Sequence, residues 1–548
     1  MSKKKNAPAA APPPSNAPAV PSTPPSRLPL LLLSVAAALL IGVRLRLLAL
    51  PLERDEGGFA YIGKMMLGGQ RLYTDLYDSK LPGLYGLYGV FVSVFGYHPS
   101  GIHLGLLLCN VAAAAWLFLL SRRAFGAAVA AWSVLVFALL SVSPNVLGSA
   151  AHATQLLLPF ALGGLWLLGR ESGRPVVRPL AVLGAGMLLG AAFLIKQQAV
   201  FFMPLAALYL WAGLRERQAG LRQMLTPLAA LALGAVLPYL TVLGYMAAVG
   251  RLPDFWFWTY ALPVQFGNSY QPGERWVLFG TVQGFVLRGQ WLLWGLAVLG
   301  ALWVWRGRWA FPSKVLATSL LVLPFGGVLL GSAFYPHYWV LLLPGAALAA
   351  AALTGAESHS PLAGKVFSGL LALGLLWALS SNPGYYFRDS HKQVLRKVYN
   401  INPFPECAVI GAEIKKRSRP GDEMLVFGAE PELLVSAALP SVTGHIFPYH
   451  LLDGQSYNQR FQNELFVAVQ ERKPRFVAVF TGGTSWLLSD LSKGNQMFNR
   501  LSPSVFDNPA YRRIGIADLY SDTTIYRWDQ QVAGFRPNSK AQVWVYER

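Results

Sequence analysis

Two adjacent carboxylates, Asp55 and Glu56, follow the first long apolar run of this chain directly, and a lysine, Lys80, comes later in the same polar stretch. Charges where a membrane helix leaves the bilayer cost free energy unless they are hydrated, paired or used. A partly desolvated carboxylate there has a raised proton affinity and can deprotonate an attacking hydroxyl. Lys80, set between Asp78 and Pro82, can hold a phosphate at headgroup depth, with Tyr77 as a second donor. The two halves together supply a base and a phosphate site. The bland readings are that Asp55 caps a short helix from Glu56 to Leu67, ended by Gly68-Gly69, and that Lys80 pairs with Asp75 or Asp78 at the surface.

Other polar groups fall at the same level of the chain's apolar pattern. His337 and Tyr338 lie in Phe334-Tyr335-Pro336-His337-Tyr338-Trp339, which is either an interfacial aromatic belt or part of a lipid-phosphate or sugar site. His152, Thr154 and Gln155 open one apolar run, and Lys196-Gln197-Gln198 links two others. Lys196 either snorkels or makes a second phosphate contact. Tyr61, in the same stretch as Asp55, joins His152, Gln155, His337 and Tyr338 as a candidate substrate-binding residue. The segment Phe255 to Arg288 carries Trp256, Trp258, Tyr260, Tyr270, Glu274 and Arg275, which suits either a belt or stacking on a sugar.

The elements that must position these groups are membrane helices. Of 548 residues, 54% are hydrophobic and 13% charged, with mean hydropathy +0.40. Soluble proteins carry roughly 25% charged residues. We expect about eleven spans of the usual length. They begin at Leu28 to Val43, where Arg44 and Arg46 can snorkel, and continue from Ile102 to Ser380. With the N-terminus inside, the Arg-rich short loops at 122–123, 170–178, 215–222 and 306–314 all fall on the cytoplasmic side. That places the loop at 51–101, the loop at 250–288 and the tail outside. Leu81 to Phe95 is too short and too rich in Gly and Tyr to span, and suits a helix lying in the interface. Residues 1–27 are Ala/Pro-rich and expected to be disordered in the cytoplasm. Residues 28–381 form the membrane domain. From 382 to 548, helix and strand patterns alternate as in a small α/β domain, with strands expected near 423–427, 475–480, 524–528 and 543–546.

The net charge of +20 lies largely in the short loops, so it reads as topology signal, and no basic face interleaved with aromatics supports nucleic-acid binding. No G-x-G-x-x-G or Walker sequence supports a nucleotide site. Cys109 and Cys407 have no metal spacing.

Arg54-Asp55-Glu56-Gly57-Gly58-Phe59-Ala60-Tyr61, Tyr73-Thr74-Asp75, Asp78-Ser79-Lys80-Leu81-Pro82-Gly83 and Pro336-His337-Tyr338 with Leu343-Pro344 resemble, in order, segments of the GT-C glycosyltransferases that use polyprenyl-phosphate sugars. That group includes protein O-mannosyltransferases, the lipid A aminoarabinose transferase and related galacturonosyltransferases. The acidic motif is the specific part; the spans are generic. The resemblance implies sugar transfer with inversion from a polyprenyl-phosphate donor to a lipid, glycan or protein hydroxyl, at the outer face of the inner membrane. It implies that Asp55 is the base, that Glu56 orients it or the acceptor, and that Lys80 and Tyr77 hold the donor phosphate. Many relatives carry a second acid in the next outer loop. Ser143 to Gln155 here has none, only Asn145, His152 and Gln155. No metal ligand is therefore assigned, while a histidine-assisted divalent cation stays open. A transporter or flippase for a lipid-linked substrate would instead show charged or broken helices near mid-membrane, and a membrane-anchored assembly protein would need neither Asp55 nor Lys80.

Overall fold

The helix Leu28–Arg46 turns Leu30, Leu31 and Leu45 outward and buries Leu32, Ala36, Leu40 and Val43. It packs against Ala127–Ser141, a helix buried at every position from Val129 onward. A helix apolar all round is stable only inside a bundle. Pro99–Phe125 and Leu343–Ala352 complete that centre. At the periphery, Leu221–Ala248 leaves most of its apolar surface outward, with 17% of its apolar window buried, as a lipid-facing helix would. The computed structural model describes residues 27–267, 272–331, 333–355, 360–452, 456–486 and 492–548. The expectation for residues 1–26 and for Tyr270 lies outside them.

Six of the described helices are long and apolar enough to cross a membrane. Gly273–Leu287 and Trp291–Trp303, bent by 102°, would make a seventh if they form one broken span. Four shorter apolar helices accompany them, Pro82–Phe95, Ala127–Ser141, Pro179–Ile195 and Pro336–Ala352. The segment 250–288, expected to be a loop, is mostly helical.

Arg44 does not snorkel. It is 3% exposed and donates to Gln155 Oε1 at 2.8 Å, to Ser141 O at 3.3 Å, and to Asn110 and Gly148. Arg46 donates to the carbonyls of Tyr385, at 2.7 Å, and Asp389. The turn after Ser141 and the segment after Ser381 cover this helix end, so Arg44 is buried and Arg46 partly so.

After Asn382 the chain forms a five-stranded sheet with helices. Its strands are β1 (Met424–Phe427), β2 (Phe476–Phe480), β3 (Arg512–Leu519), β4 (Thr524–Trp528) and β5 (Ala541–Glu547), in the order β1-β2-β5-β3-β4. Only β1 and β2 are parallel, Met424 opposite Phe476, and the helix Asn458–Arg472 lies between them in sequence. This part docks on the helix Arg54–Leu67. A Cβ on Gly57 would lie 2.4 Å from the Cα of Glu432, so only glycine lets the helix Glu432–Ala437 come this close.

Candidate active site

The helix Arg54–Leu67 starts with a reciprocal cap. Glu53 Oε1 accepts the Glu56 N–H at 2.9 Å, and Glu56 Oε2 accepts the Glu53 N–H at 3.2 Å. The cap is therefore Glu53 and not Asp55, because the helix begins two residues earlier than expected. Successive side chains then leave the helix about 100° apart, given 3.6 residues per turn. Arg54 reaches the C-terminal part, donating to Glu430 Oε1 at 3.1 Å, Asn402 Oδ1 at 3.2 Å and Thr484 O at 3.0 Å. Glu56 turns into the core at 1% exposure, accepts the Ala151 N–H at 2.6 Å and lies 3.1 Å from His103 Nε2.

Asp55 is left partly open, with a side chain 38% exposed. Its Oδ2 lies 3.8 Å from His152 Nδ1. The His152 ring stacks on that of His337, centroids 4.1 Å apart and planes at 12°. Thr154 Oγ1 fixes this second histidine by donating to the His337 carbonyl at 2.7 Å. One ligand atom from each of Asp55, His152 and His337 lies within 4.8 Å of the others. His152 Nε2 and His337 Nδ1 are buried and have no hydrogen-bond partner among the described residues.

Lys196 closes the helix Pro179–Ile195, and its Nζ sits 4.5 Å over the Tyr338 ring. Burial, then the charge of Lys80, push its pKa down to about 7, while Asp55 works the other way. Burial, followed by His152, Lys196 and Lys80, holds His337 well below the usual histidine range, so its ring is neutral. Lys80 Nζ is 3.9 Å from Asp78 Oδ1 and 3.2 Å from Ser79 Oγ. Asp78 is itself fixed by the Ser79 N–H at 2.6 Å and the Tyr449 hydroxyl at 2.8 Å. A Cβ on Gly83 would lie 2.7 Å from Leu194, so the backbone after Lys80 runs hard against the helix that ends at Lys196.

Asp55, Lys80, His152, Lys196, His337 and Tyr338 thus share one electrostatic neighbourhood. Four other candidates point elsewhere. Glu56 is in the core. Gln155 accepts from Arg44 and donates to Gly148 O at 3.3 Å. The Tyr61 hydroxyl accepts the Ser441 N–H at 2.7 Å. Tyr77 stacks on Trp258 at 5.0 Å and on His445 at 4.4 Å. Asp75, one expected partner of Lys80, binds Arg71 at 3.0 Å. Glu53, His103 and Glu430 were not anticipated; the spacing of Glu53 and Glu56 is itself a capping-box signal.

The arrangement offers a partly open carboxylate, two lysines beside it for an anion, and two buried imidazoles. Imidazole with one carboxylate is a fitting donor set for a divalent cation. The histidines supply what the missing second acid does not.

Residues 82–242 match the family described as dolichyl-phosphate-mannose-protein mannosyltransferase. The chain is similar to ArnT of Cupriavidus metallidurans, solved with undecaprenyl phosphate, with TM-score 0.58 and 16% identity over 94% of this chain and 97% of that one. It is similar to the oligosaccharyltransferase of Archaeoglobus fulgidus in its apo form, with TM-score 0.50 and 14% identity over 92% of this chain and 74% of that one. The arabinofuranosyltransferase AftD from Mycobacteria matches with TM-score 0.50 and 15% identity over 95% of this chain and 40% of its own. No curated protein sequence matches significantly. The resemblance read from the acidic motif therefore holds at the level of fold: this is a multi-pass membrane protein of GT-C architecture with a C-terminal α/β part.

Proposed function

We propose that this chain is a membrane glycosyltransferase that moves a hexose or pentose from a polyprenyl-phosphate donor to an acceptor hydroxyl, with inversion, at the outer face of the inner membrane. The observation that carries the reading is the convergence of one open carboxylate, Asp55, with the cations Lys80 and Lys196. The mannosyltransferase family matched by residues 82–242 and the undecaprenyl phosphate of the similar ArnT structure support a lipid-phosphate donor. The distribution of Arg-rich loops supports placing the site and the C-terminal part outside.

In this reading the donor phosphate rests between Lys80 and Lys196. Phosphate binding would raise the proton affinity of Lys196 and hold it charged. The acceptor oxygen attacks the anomeric carbon from the face opposite the phosphate. Its proton passes to Asp55, the bond from the anomeric carbon to the phosphate oxygen breaks, and the electron pair leaves with the phosphate, whose charge the lysines stabilise. Asp55, His152 and His337 would hold a divalent cation, which would supply Lewis-acid charge at the phosphate when bound.

The test is transfer from a synthetic polyprenyl-phosphate sugar by the purified chain in nanodiscs, the acceptor having been found by comparing envelope glycans and glycolipids with and without the protein. General-base removal costs about 10²- to 10⁴-fold. Asp55→Asn should lose that much while inserting and folding normally. Undiminished turnover in this variant would sink the mechanism.

A further inference from the structure

The C-terminal part does more than pack on the helix Arg54–Leu67. Its segment 444–450 also grips the residues just ahead of Lys80. The Gly444 carbonyl accepts the Tyr77 N–H at 3.2 Å, and a Cβ on Gly444 would lie 2.2 Å from the carbonyl oxygen of Asp75. Phe447 rests against Gly58, and the Tyr449 hydroxyl donates to Asp78 Oδ1 at 2.8 Å. The C-terminal part thus places a side chain on the carboxylate two residues before Lys80.

Asp78 is 1% exposed, and among the described residues Lys80 is the one cation that pairs with it, at 3.9 Å. A charge-assisted N–H to carboxylate bond closes to about 2.7–2.9 Å. Here the ammonium stands off and donates to Ser79 Oγ at 3.2 Å instead. The reason is that the oxygen facing it is already taken. Oδ1 accepts the Ser79 N–H at 2.6 Å and the Tyr449 O–H, and a carboxylate oxygen has about two lone-pair sites to offer. Oδ2 is buried with no hydrogen-bond partner among the described residues. Lys80 therefore has two competing uses. It can close on Asp78, or it can hold an anion from outside, for which its side chain stays 31% exposed. Each bond that Oδ1 receives from a neutral donor weakens the first use and favours the second. The Ser79 N–H is local to the turn, whereas Tyr449 is present only while the C-terminal part is docked.

We infer that Tyr449 is a positioning residue for the donor. By occupying Asp78 Oδ1 it keeps Lys80 from closing on that carboxylate and leaves the ammonium to the lipid phosphate. The inference rests on the transferase reading for the word donor. It makes donor binding depend on the docked C-terminal part through a single hydroxyl.

The experiment titrates undecaprenyl phosphate, with undecaprenol as the uncharged control, into the full chain in nanodiscs and reads binding by native mass spectrometry. Tyr449→Phe removes the hydroxyl and keeps the ring contacts with Phe447 and His450. It should weaken undecaprenyl phosphate roughly 3- to 10-fold, the worth of one hydrogen bond, and leave undecaprenol unchanged. Asp78→Asn removes the charge that competes for Lys80, so adding Tyr449→Phe to it should cost no further affinity. In the transfer assay Tyr449→Phe should raise the KM for donor and leave kcat and the KM for acceptor unchanged. Unchanged binding of undecaprenyl phosphate by Tyr449→Phe, equal weakening of undecaprenol, or the full loss persisting beside Asp78→Asn overturns the inference. A rise in acceptor KM overturns it too, since a C-terminal part that merely came loose would affect both substrates. Should Asp78→Asn not fold, the comparison of the two lipids on Tyr449→Phe decides alone. Selective loss of undecaprenyl phosphate by Tyr449→Phe, in a protein that transfers no sugar from any polyprenyl phosphate, would refute the transferase reading and leave the lipid-phosphate site and its tyrosine standing.

Discussion

Five consecutive residues, Arg54 to Gly58, do five different things. Arg54 holds the C-terminal part, Asp55 stays partly open, Glu56 joins the core, Gly57 admits the Glu432 backbone, and Gly58 admits the Phe447 ring. Burial pushes the proton affinity of Glu56 up, but His103, the Ala151 N–H and His152 together bring it below the ordinary carboxylate value. It is a paired, ionised core group. Glu56→Gln should therefore cost about 3–5 kcal/mol, as for a buried pair that loses one partner, and appear as a large drop in the thermal unfolding midpoint in detergent. Asp55→Asn should shift the same midpoint little, since changes at open positions stay within about 0.5 kcal/mol. A stable but inactive Glu56→Gln protein would instead make Glu56 part of the chemistry. The types and positions of these residues were legible in the sequence, since ionisable groups at a membrane boundary need a reason to be there. Their directions were not legible. Direction follows from where the helix starts: with the cap at Glu53, Glu56 folds back into the core and Asp55 stays open.

At the scale of elements, the long apolar runs were easy to find because length and hydropathy define them almost alone. The segment 250–288 is mostly helical although it holds Pro253, Pro263 and Pro272, because each of them lies in the first two positions of a helix, where proline is tolerated. The strand β3 was missed for another reason. From Ile514 to Leu519 it is buried at every position and paired on both sides, so it lacks the alternation by which strands are recognised. The contact between elements that matters most for the site is the helix Pro82–Phe95 against Pro179–Ile195, where Gly83 meets Leu194. Gly83→Ala must displace one backbone from the other, at a cost of about 1–3 kcal/mol as for other overpacked contacts. The displacement separates Lys80 from Lys196. The expected result is a several-fold rise in donor KM with acceptor KM unchanged. Equal rises for both substrates would show that the two lysines do not act on the donor alone.

At the scale of the whole molecule, the helix Arg54–Leu67 and the C-terminal part are joined through a buried ionic centre next to Asp55. Arg54 lies 3.1 Å from Glu430, and burial raises the proton affinity of both Glu430 and Glu432, with Arg54 opposing it and Glu430 adding to it at Glu432. Neither oxygen of Glu432 has a hydrogen-bond partner among the described residues. The other ionisable groups facing this centre are Glu53, through Arg54, and Cys407, whose thiol burial keeps protonated. Arg54 stays charged, since the acids more than offset its desolvation. A carboxyl with a raised proton affinity in the docked state stabilises docking fully below its ordinary value of 4.5, and the benefit is lost as pH rises toward the raised value. The C-terminal part should thus be held most tightly in mild acid and loosen as pH climbs through neutrality. Limited proteolysis of the full chain in nanodiscs across that range should show faster cleavage between residues 382 and 404 at the alkaline end. Glu432→Gln, which keeps the shape and removes the titration, should flatten the dependence and slow cleavage at the alkaline end. Arg54→Met should do the reverse, leaving two acids without their cation and releasing the domain at lower pH. A cleavage rate independent of pH in the wild type would mean that Glu432 does not change its charge on docking, and the proximity of this centre to Asp55 would then carry no pH signal to the site.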